Sequence, residues 1–293
     1  MRKIRTVAVL PTLFTLGNLV CGFFAIVVAA RVDPPATPEP PRAATIGTMN
    51  PLKAARAFDK QDPVHNCMLS GWLIFLAMIF DALDGHVARL AKTTSDFGAQ
   101  LDSLCDVVTF GVAPAFLLVK MCPRFEYMHH DMVWIIAALY AACAAMRLAR
   151  FNVESDEEDD HMHFTGLPSP AAAAAIASFA ILFYTLRKET NTSWYAPYAP
   201  QFDQVMQYVL PFFTLLVAVL MVSRIPYPHI VNQIFSGQHS FAHLAMVVLL
   251  FGGVMLVRGF AVPLISAAFV LQGPLVYVWR EYVQRRPHKE PLF

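Results

Sequence analysis

At 293 residues, 57% of them hydrophobic and only 15% charged, and with a mean hydropathy of +0.49, the sequence excludes an ordinary soluble domain and points to the bilayer as its main solvent. A formal net charge of +1 gives none of the basic face that nucleic acid requires, so the expected partner is the lipid bilayer and not nucleic acid. The five cysteines, at 21, 67, 105, 122 and 143, have no C-x-x-C spacing and indicate neither a zinc ligand set nor a disulfide framework.

Apolar runs near the ~20 residues needed to cross the hydrocarbon predict eight spans. They fall at 7–30, 70–90, 97–120, 132–150, 169–187, 206–223, 241–257 and 259–279. The expected fold class is all-α, a polytopic membrane helix bundle of about eight transmembrane helices forming one integral membrane domain over 1–293.

The first run, from Val7 to Ala30, is longer than the core of a signal peptide and reads as an uncleaved span. Residues 31–69 follow as an extended Pro-rich loop, opening with Pro34, Pro35, Pro38, Pro40 and Pro41. With both termini on one side, twelve Lys/Arg fall on that side against ten opposite, five of those ten in the long loop. Long loops weigh little in the charge rule, so the termini and the 88–96 turn are expected in the cytoplasm.

Residues 81–106, DALDGHVARLAKTTSDFGAQLDSLCD, place five aspartates among apolar runs, four of them in two closely spaced pairs. Asp81 and Asp84 are three apart, Asp102 and Asp106 four apart, so on helices each pair shares a face. Between them the polar stretch 91–96 offers Thr93 and Ser95 as N-caps and Asp96 early in the next helix, which predicts a helical hairpin. At ~1.5 Å per residue the four carboxylates overlap in depth. Gly85, Ala88 and Gly98 remove bulk from the same faces and Arg89 adds a cation, a groove suited to a phosphorylated ligand. Four aspartates at membrane depth, each costing on the order of 2.5–3.5 kcal/mol, call for compensating cations. Carboxylates suit Mg²⁺ or Mn²⁺, and this many around one point suggest two ions.

The pattern D-x2-D-G-x2-A-R-x8-G-x3-D-x3-D, filled by Asp81, Asp84, Gly85, Ala88, Arg89, Gly98, Asp102 and Asp106, resembles the signature of the CDP-alcohol phosphatidyltransferases. LPTLFTLGNLVCGF, TSDFGAQLDSLCDVVTFGVAPA, MRLARFN and FTGLPSPAA resemble one branch of that family, the bacterial type II phosphatidylserine synthases. Thr12 stands where asparagine is expected in many relatives, and His86 where Arg or Lys is common.

The resemblance implies transfer of the phosphatidyl group of CDP-diacylglycerol to L-serine with release of CMP, in a bacterial inner membrane, by a homodimer whose active site faces the cytoplasm. By the same analogy Asp81, Asp84, Asp102 and Asp106 hold the metal and Asp106 is also the general base. Gly85, Ala88, Arg89, Gly98 and Ser95 would line the CDP-diacylglycerol groove, with Thr15 and Asn18 from the first span. If serine is the acceptor, its carboxylate calls for guanidinium forks, and Arg147 and Arg150, three apart at the end of the fourth span, are the candidates, with Asn152 in support. Six acids within 154–160 read as a solvated loop, and Phe164 to Pro170 as a rigid entry to a close-packed alanine-rich span. Two other readings stand beside this one. A sister transferase would use glycerol 3-phosphate, inositol phosphate or choline, and a divalent-cation transporter would also place acids in the membrane.

Overall fold

The computed structural model describes residues 9–32, 62–91, 96–123, 125, 130–156, 166–188, 196–225, 227 and 258–279. Among them there is no strand. The helices are α1 (Val9–Ala30), α2 (Pro63–Ala91), α3 (Asp96–Asp106), α4 (Ala113–Met121), α5 (His130–Asp156), α6 (Ser169–Lys188), α7 (Ala199–Val222) and α8 (Ala261–Val278). A π-helical segment, Val107–Val112, joins α3 to α4, and a short 3₁₀ turn, Arg258–Phe260, leads into α8. Taking α3 to α4 as one span, seven helices among the described residues are long and apolar enough to cross a membrane. The expected span at 241–257 lies outside the described residues, as do 33–61 of the long loop.

Several expected boundaries move. Residues 63–69, read as loop, are the first two turns of α2. The reason is local: Asp62 Oδ1 accepts the Val64 backbone N–H at 3.1 Å and Pro63 sits at the first helical position, an N-cap and N1 pair that hydropathy does not register. The helix of the fourth span runs on through Glu154, Ser155 and Asp156, so the acidic tract begins in helix rather than in loop. The sixth begins at Ala199, seven residues before its apolar window.

The third span is not a uniform helix, and proline explains why. Pro114 has no N–H to offer the Phe110 carbonyl four residues back, and its ring crowds that carbonyl, so the ladder widens over 107–112. The Ala113 N–H bonds back to the Val108 carbonyl, and the buried Tyr140 hydroxyl of α5 donates to the Phe110 carbonyl at 3.0 Å.

Helix α6 is the axis of the bundle, 78% of its span being buried, whereas α8 at 22% is peripheral. Helix α1 packs along α2, α2 along α6, α5 along α7, and α8 against α6. The core between them includes Phe110, Phe125, Tyr140 and Phe183, all buried. Exposed Phe23 and Phe24 on α1 and Leu264, Ile265 and Leu275 on α8 suit contact with lipid. The cysteines are free, four buried and Cys143 half-buried, and serve as small apolar residues.

Two ends of the bundle are defined by contacts. At one, Lys120 of α4 donates to the Val32 carbonyl just past α1, and Lys188 at the end of α6 pairs with Asp62 before α2. At the other, α5 ends beside the C-terminus of α7, where Arg150 Nη1 donates to the Val222 carbonyl at 3.0 Å. The segment entering α6 docks there too: the backbone N–H groups of Gly166 and Leu167 donate to the carbonyls of Ile225 and Leu220 at 2.9 and 3.0 Å. Gly166 has φ +87°, and a Cβ would stand 2.6 Å from the Met221 carbonyl oxygen, so only glycine fits this crossing.

Candidate active site

The acidic stretch lies at that second end. Asp81 and Asp84 come from the last turns of α2, and Asp102 and Asp106 from α3. The two helices make little direct contact with each other; α1 packs on both and holds them apart. The side chains meet across a gap rather than the helices across an interface. Ligand oxygens of Asp81, Asp102 and Asp106 all lie within 4.8 Å of one another. Asp84 is buried beside them and faces Asp102 electrostatically.

Polar residues of α1 fix two of these carboxylates. Thr15 and the Gly85 backbone N–H hydrogen-bond to Asp84. Asn18, fully buried, donates from Nδ2 to Asp106 Oδ1 at 2.9 Å, while Thr109 Oγ1 of the π segment donates to the Asn18 carbonyl at 3.3 Å. That last contact needs a close approach. A Cβ at Gly22 would sit 2.3 Å from Thr109 Oγ1 and 2.8 Å from its Cα, so glycine there admits the π segment against α1.

Hydrogen bonding within the cluster is incomplete. Asn18 Oδ1, Asp84 Oδ2, Asp102 Oδ1 and Arg147 Nε are buried without a hydrogen-bond partner. Buried polar atoms are nearly always paired, and unpaired atoms on Asp84 and Asp102 of the cluster, on Asn18 bonded to Asp106 and on Arg147 mark a place shaped for something to bind.

The other expected site residues divide. A Cβ at Gly85 would meet nothing within 4 Å among the described residues, so the space in front of it is open to them. Gly98 is half-buried on α3. Ala88 and Arg89 lie in the last turn of α2 with side chains outside the described set, and Ser95 is outside it altogether. Arg147 lies within electrostatic reach of Asp106 and donates from Nη1 to Ser169 Oγ at 2.9 Å. Arg150 instead caps α7 through the Val222 carbonyl. Asn152 Oδ1 accepts from Ser103 Oγ at 3.1 Å, tying α5 to the residue after Asp102.

Thr109, Ser103 and Ser169 were not singled out from the sequence. Ser103 had one faint signal, adjacency to an aspartate. Ser169 had another, a polar residue between two prolines at the head of an alanine run.

Fold and site together define a polytopic helical membrane protein with an acidic, incompletely hydrogen-bonded site inside its bundle. The chain belongs to the CDP-alcohol phosphatidyltransferase family, whose model matches residues 8–271. Among curated relatives, it is 38% identical over 164 residues to a CDP-diacylglycerol–serine O-phosphatidyltransferase of Methanocaldococcus jannaschii, which is 56% of this chain and 65% of that protein. A protein of the same name from Helicobacter pylori is 34% identical over 168 residues, 56% of this chain and 62% of the relative. An archaetidylserine synthase of Methanothermobacter thermautotrophicus is 36% identical over 160 residues, 54% and 57% of the two chains. The matched stretch thus spans less than two thirds of each of these relatives' own length.

Proposed function

We propose that this protein transfers the phosphatidyl group of CDP-diacylglycerol to the hydroxyl of L-serine, releasing CMP, with Mg²⁺ or Mn²⁺ held by Asp81, Asp84, Asp102 and Asp106. The observation that carries this reading is the convergence of Asp81, Asp102 and Asp106 with Arg147 in electrostatic reach of Asp106. Acids that gather cations for a diphosphate thus stand beside a guanidinium suited to an acceptor's carboxylate. The names of the relatives supply serine.

The donor set fits a divalent cation. All its atoms are hard oxygens, three carboxylates reach one point, and Asp84 Oδ2 and Asp102 Oδ1 are buried with no other partner. Two such ions, when bound, screen the diphosphate and stabilise the leaving CMP.

The chain's own residues do the rest. Asn18 occupies Oδ1 of Asp106, which leaves Oδ2 to take the proton as the serine oxygen attacks the β-phosphorus. The bond from that phosphorus to the oxygen bridging the two phosphates breaks, and CMP departs with that oxygen. The open space before Gly85 lets the nucleotide approach the backbone of α2, with Gly98, Ala88, Arg89 and Ser95 as its further lining. Thr15 and Asn18 act in this scheme by orienting Asp84 and Asp106. Arg147 receives the serine carboxylate, while Arg150 and Asn152 hold the helix that carries it. The site opens to the cytoplasm in this reading, in line with the charge distribution, and the enzyme is a homodimer of the inner membrane.

The test is an acceptor panel: purified protein with CDP-diacylglycerol, Mn²⁺ or Mg²⁺, and serine, glycerol 3-phosphate, inositol phosphate or choline, following CMP and lipid product. Equal amounts of CMP and phosphatidylserine, with serine alone, are expected. CMP release with glycerol 3-phosphate but not with serine would move the protein to a sister activity, and no CMP with any acceptor would remove the transferase reading.

A further inference from the structure

Resting on the serine reading above, we propose that Ser169 is a positioning residue that selects which edge of the Arg147 guanidinium receives the acceptor's carboxylate. A guanidinium has two edges able to grip a carboxylate with two parallel N–H groups, Nη1 with Nη2 and Nε with Nη2. Ser169 Oγ accepts from Nη1 at 2.9 Å and so engages the first edge. Nε, on the second edge, is buried and has no hydrogen-bond partner. An unpaired buried guanidinium N–H is costly, and a carboxylate arriving along the Nε–Nη2 edge removes that cost.

Ser169 can do this because its own place is fixed. It is fully buried as the first residue of α6, the most enclosed of the described spans. Pro168 and Pro170 flank it, and the Pro168 carbonyl accepts the Ala172 N–H at 2.9 Å as the helix begins. The preceding Gly166 and Leu167 are pinned by their N–H groups to the end of α7. The hydroxyl is thus a rigid acceptor on one helix that sets the rotation of an arginine on another. Arg150, one turn further along α5, is anchored through the same α7 terminus, so the frame is braced on both sides.

The test is a set of steady-state measurements on full-length Ser169→Ala, Ser169→Thr and Arg147→Lys and on the Ser169→Ala/Arg147→Lys double variant. Ser169→Ala is expected to raise the KM for serine about ten-fold, as for loss of one charge-assisted hydrogen bond, with the KM for CDP-diacylglycerol and the melting temperature nearly unchanged. Ser169→Thr, which keeps the hydroxyl, should return the serine KM toward wild type. In the Arg147→Lys background, Ser169→Ala should add little, because the fork it orients is gone. An unchanged serine KM in Ser169→Ala while Arg147→Lys raises it overturns this inference and leaves the acceptor reading standing. So does a shift of both KM values with a lowered melting temperature that threonine fails to restore, which is the behaviour of a packing residue. An unchanged serine KM in Arg147→Lys itself overturns the serine-binding reading, and this inference with it.

Discussion

The two ends of the bundle treat their polar groups in opposite ways. At the far end Asp203 accepts from Arg187 Nε and Gln207 Nε2, both at 2.7 Å, and Asp62 accepts from Lys188 and the Val64 backbone. Arg187 also stacks over Phe183, 4.9 Å from the ring centre. At the aspartate end, three carboxylates stand within 4.8 Å of one another, and one oxygen each of Asp84 (Oδ2) and Asp102 (Oδ1) has no hydrogen-bond donor. Like charges so close, incompletely hydrogen-bonded and partly or fully buried, oppose folding, whereas the far-end groups support it. A polar group that is paired holds the helices; one left unpaired is held open for a ligand.

Substitutions at the aspartate end should break turnover and those at the far end only stability. The largest effect is expected from Asp106→Asn, which removes the proton acceptor proposed above and should lower kcat by about a thousand-fold or more. Asp81→Asn should lose divalent-ion and CDP-lipid binding together, whereas Asp106→Asn keeps more of the binding. Equal loss of binding in both, read by titration calorimetry, would remove the case for a separate base.

Two glycines sharpen the contrast. Gly22→Ala drives a Cβ into Thr109 and should destabilise the protein by about 1–3 kcal/mol, seen as a lower melting temperature. Gly85→Ala places its Cβ more than 4 Å from any packing neighbour among the described residues and should leave the melting temperature level or slightly raised while increasing the KM for CDP-diacylglycerol. A stability loss at Gly85 as large as that at Gly22 would contradict an open groove.

At the far end, Asp203→Asn leaves Arg187 without its anion and should cost about 1–3 kcal/mol of stability with the serine KM unmoved. The smallest effect is expected at Asp62. The Lys188 ammonium, the Val64 N–H and nearby charge hold its carboxyl below the ordinary value of 3.8. A depressed carboxyl pKa stabilises the fold above the unfolded value, and that contribution is lost as pH falls through the folded one. Asp62→Asn should therefore lower the melting temperature slightly at neutral pH, and the difference from wild type should shrink below about pH 4, as thermal scans across pH would record.

Legibility in the sequence follows the same division. Hydropathy located the seven described spans because burial in lipid needs only length and apolarity, and the aspartate spacing placed the cluster because helical periodicity projects i and i+3 or i+4 together. The start of α2 was missed because Asp62–Pro63 is a capping signal carried by two residues outside the apolar run. The π segment was hidden because Pro114 acts on a carbonyl four residues earlier, and whether the ladder closes or widens depends on Tyr140, thirty residues away from Phe110. Arg147 and Arg150 looked equivalent at i and i+3. Their different roles are set by Ser169 and the end of α7, which are tertiary neighbours.

Whether the unpaired oxygens of the aspartate end are kept for divalent cations is decided by Mn²⁺ binding to the purified, metal-free protein, followed by electron paramagnetic resonance without any substrate. Saturable binding of about two ions per chain, lost in Asp81→Asn and Asp102→Asn and intact in Asp203→Asn, is the predicted result. Binding equally retained in the Asp81 and Asp102 variants, or absent from the wild type, would contradict it.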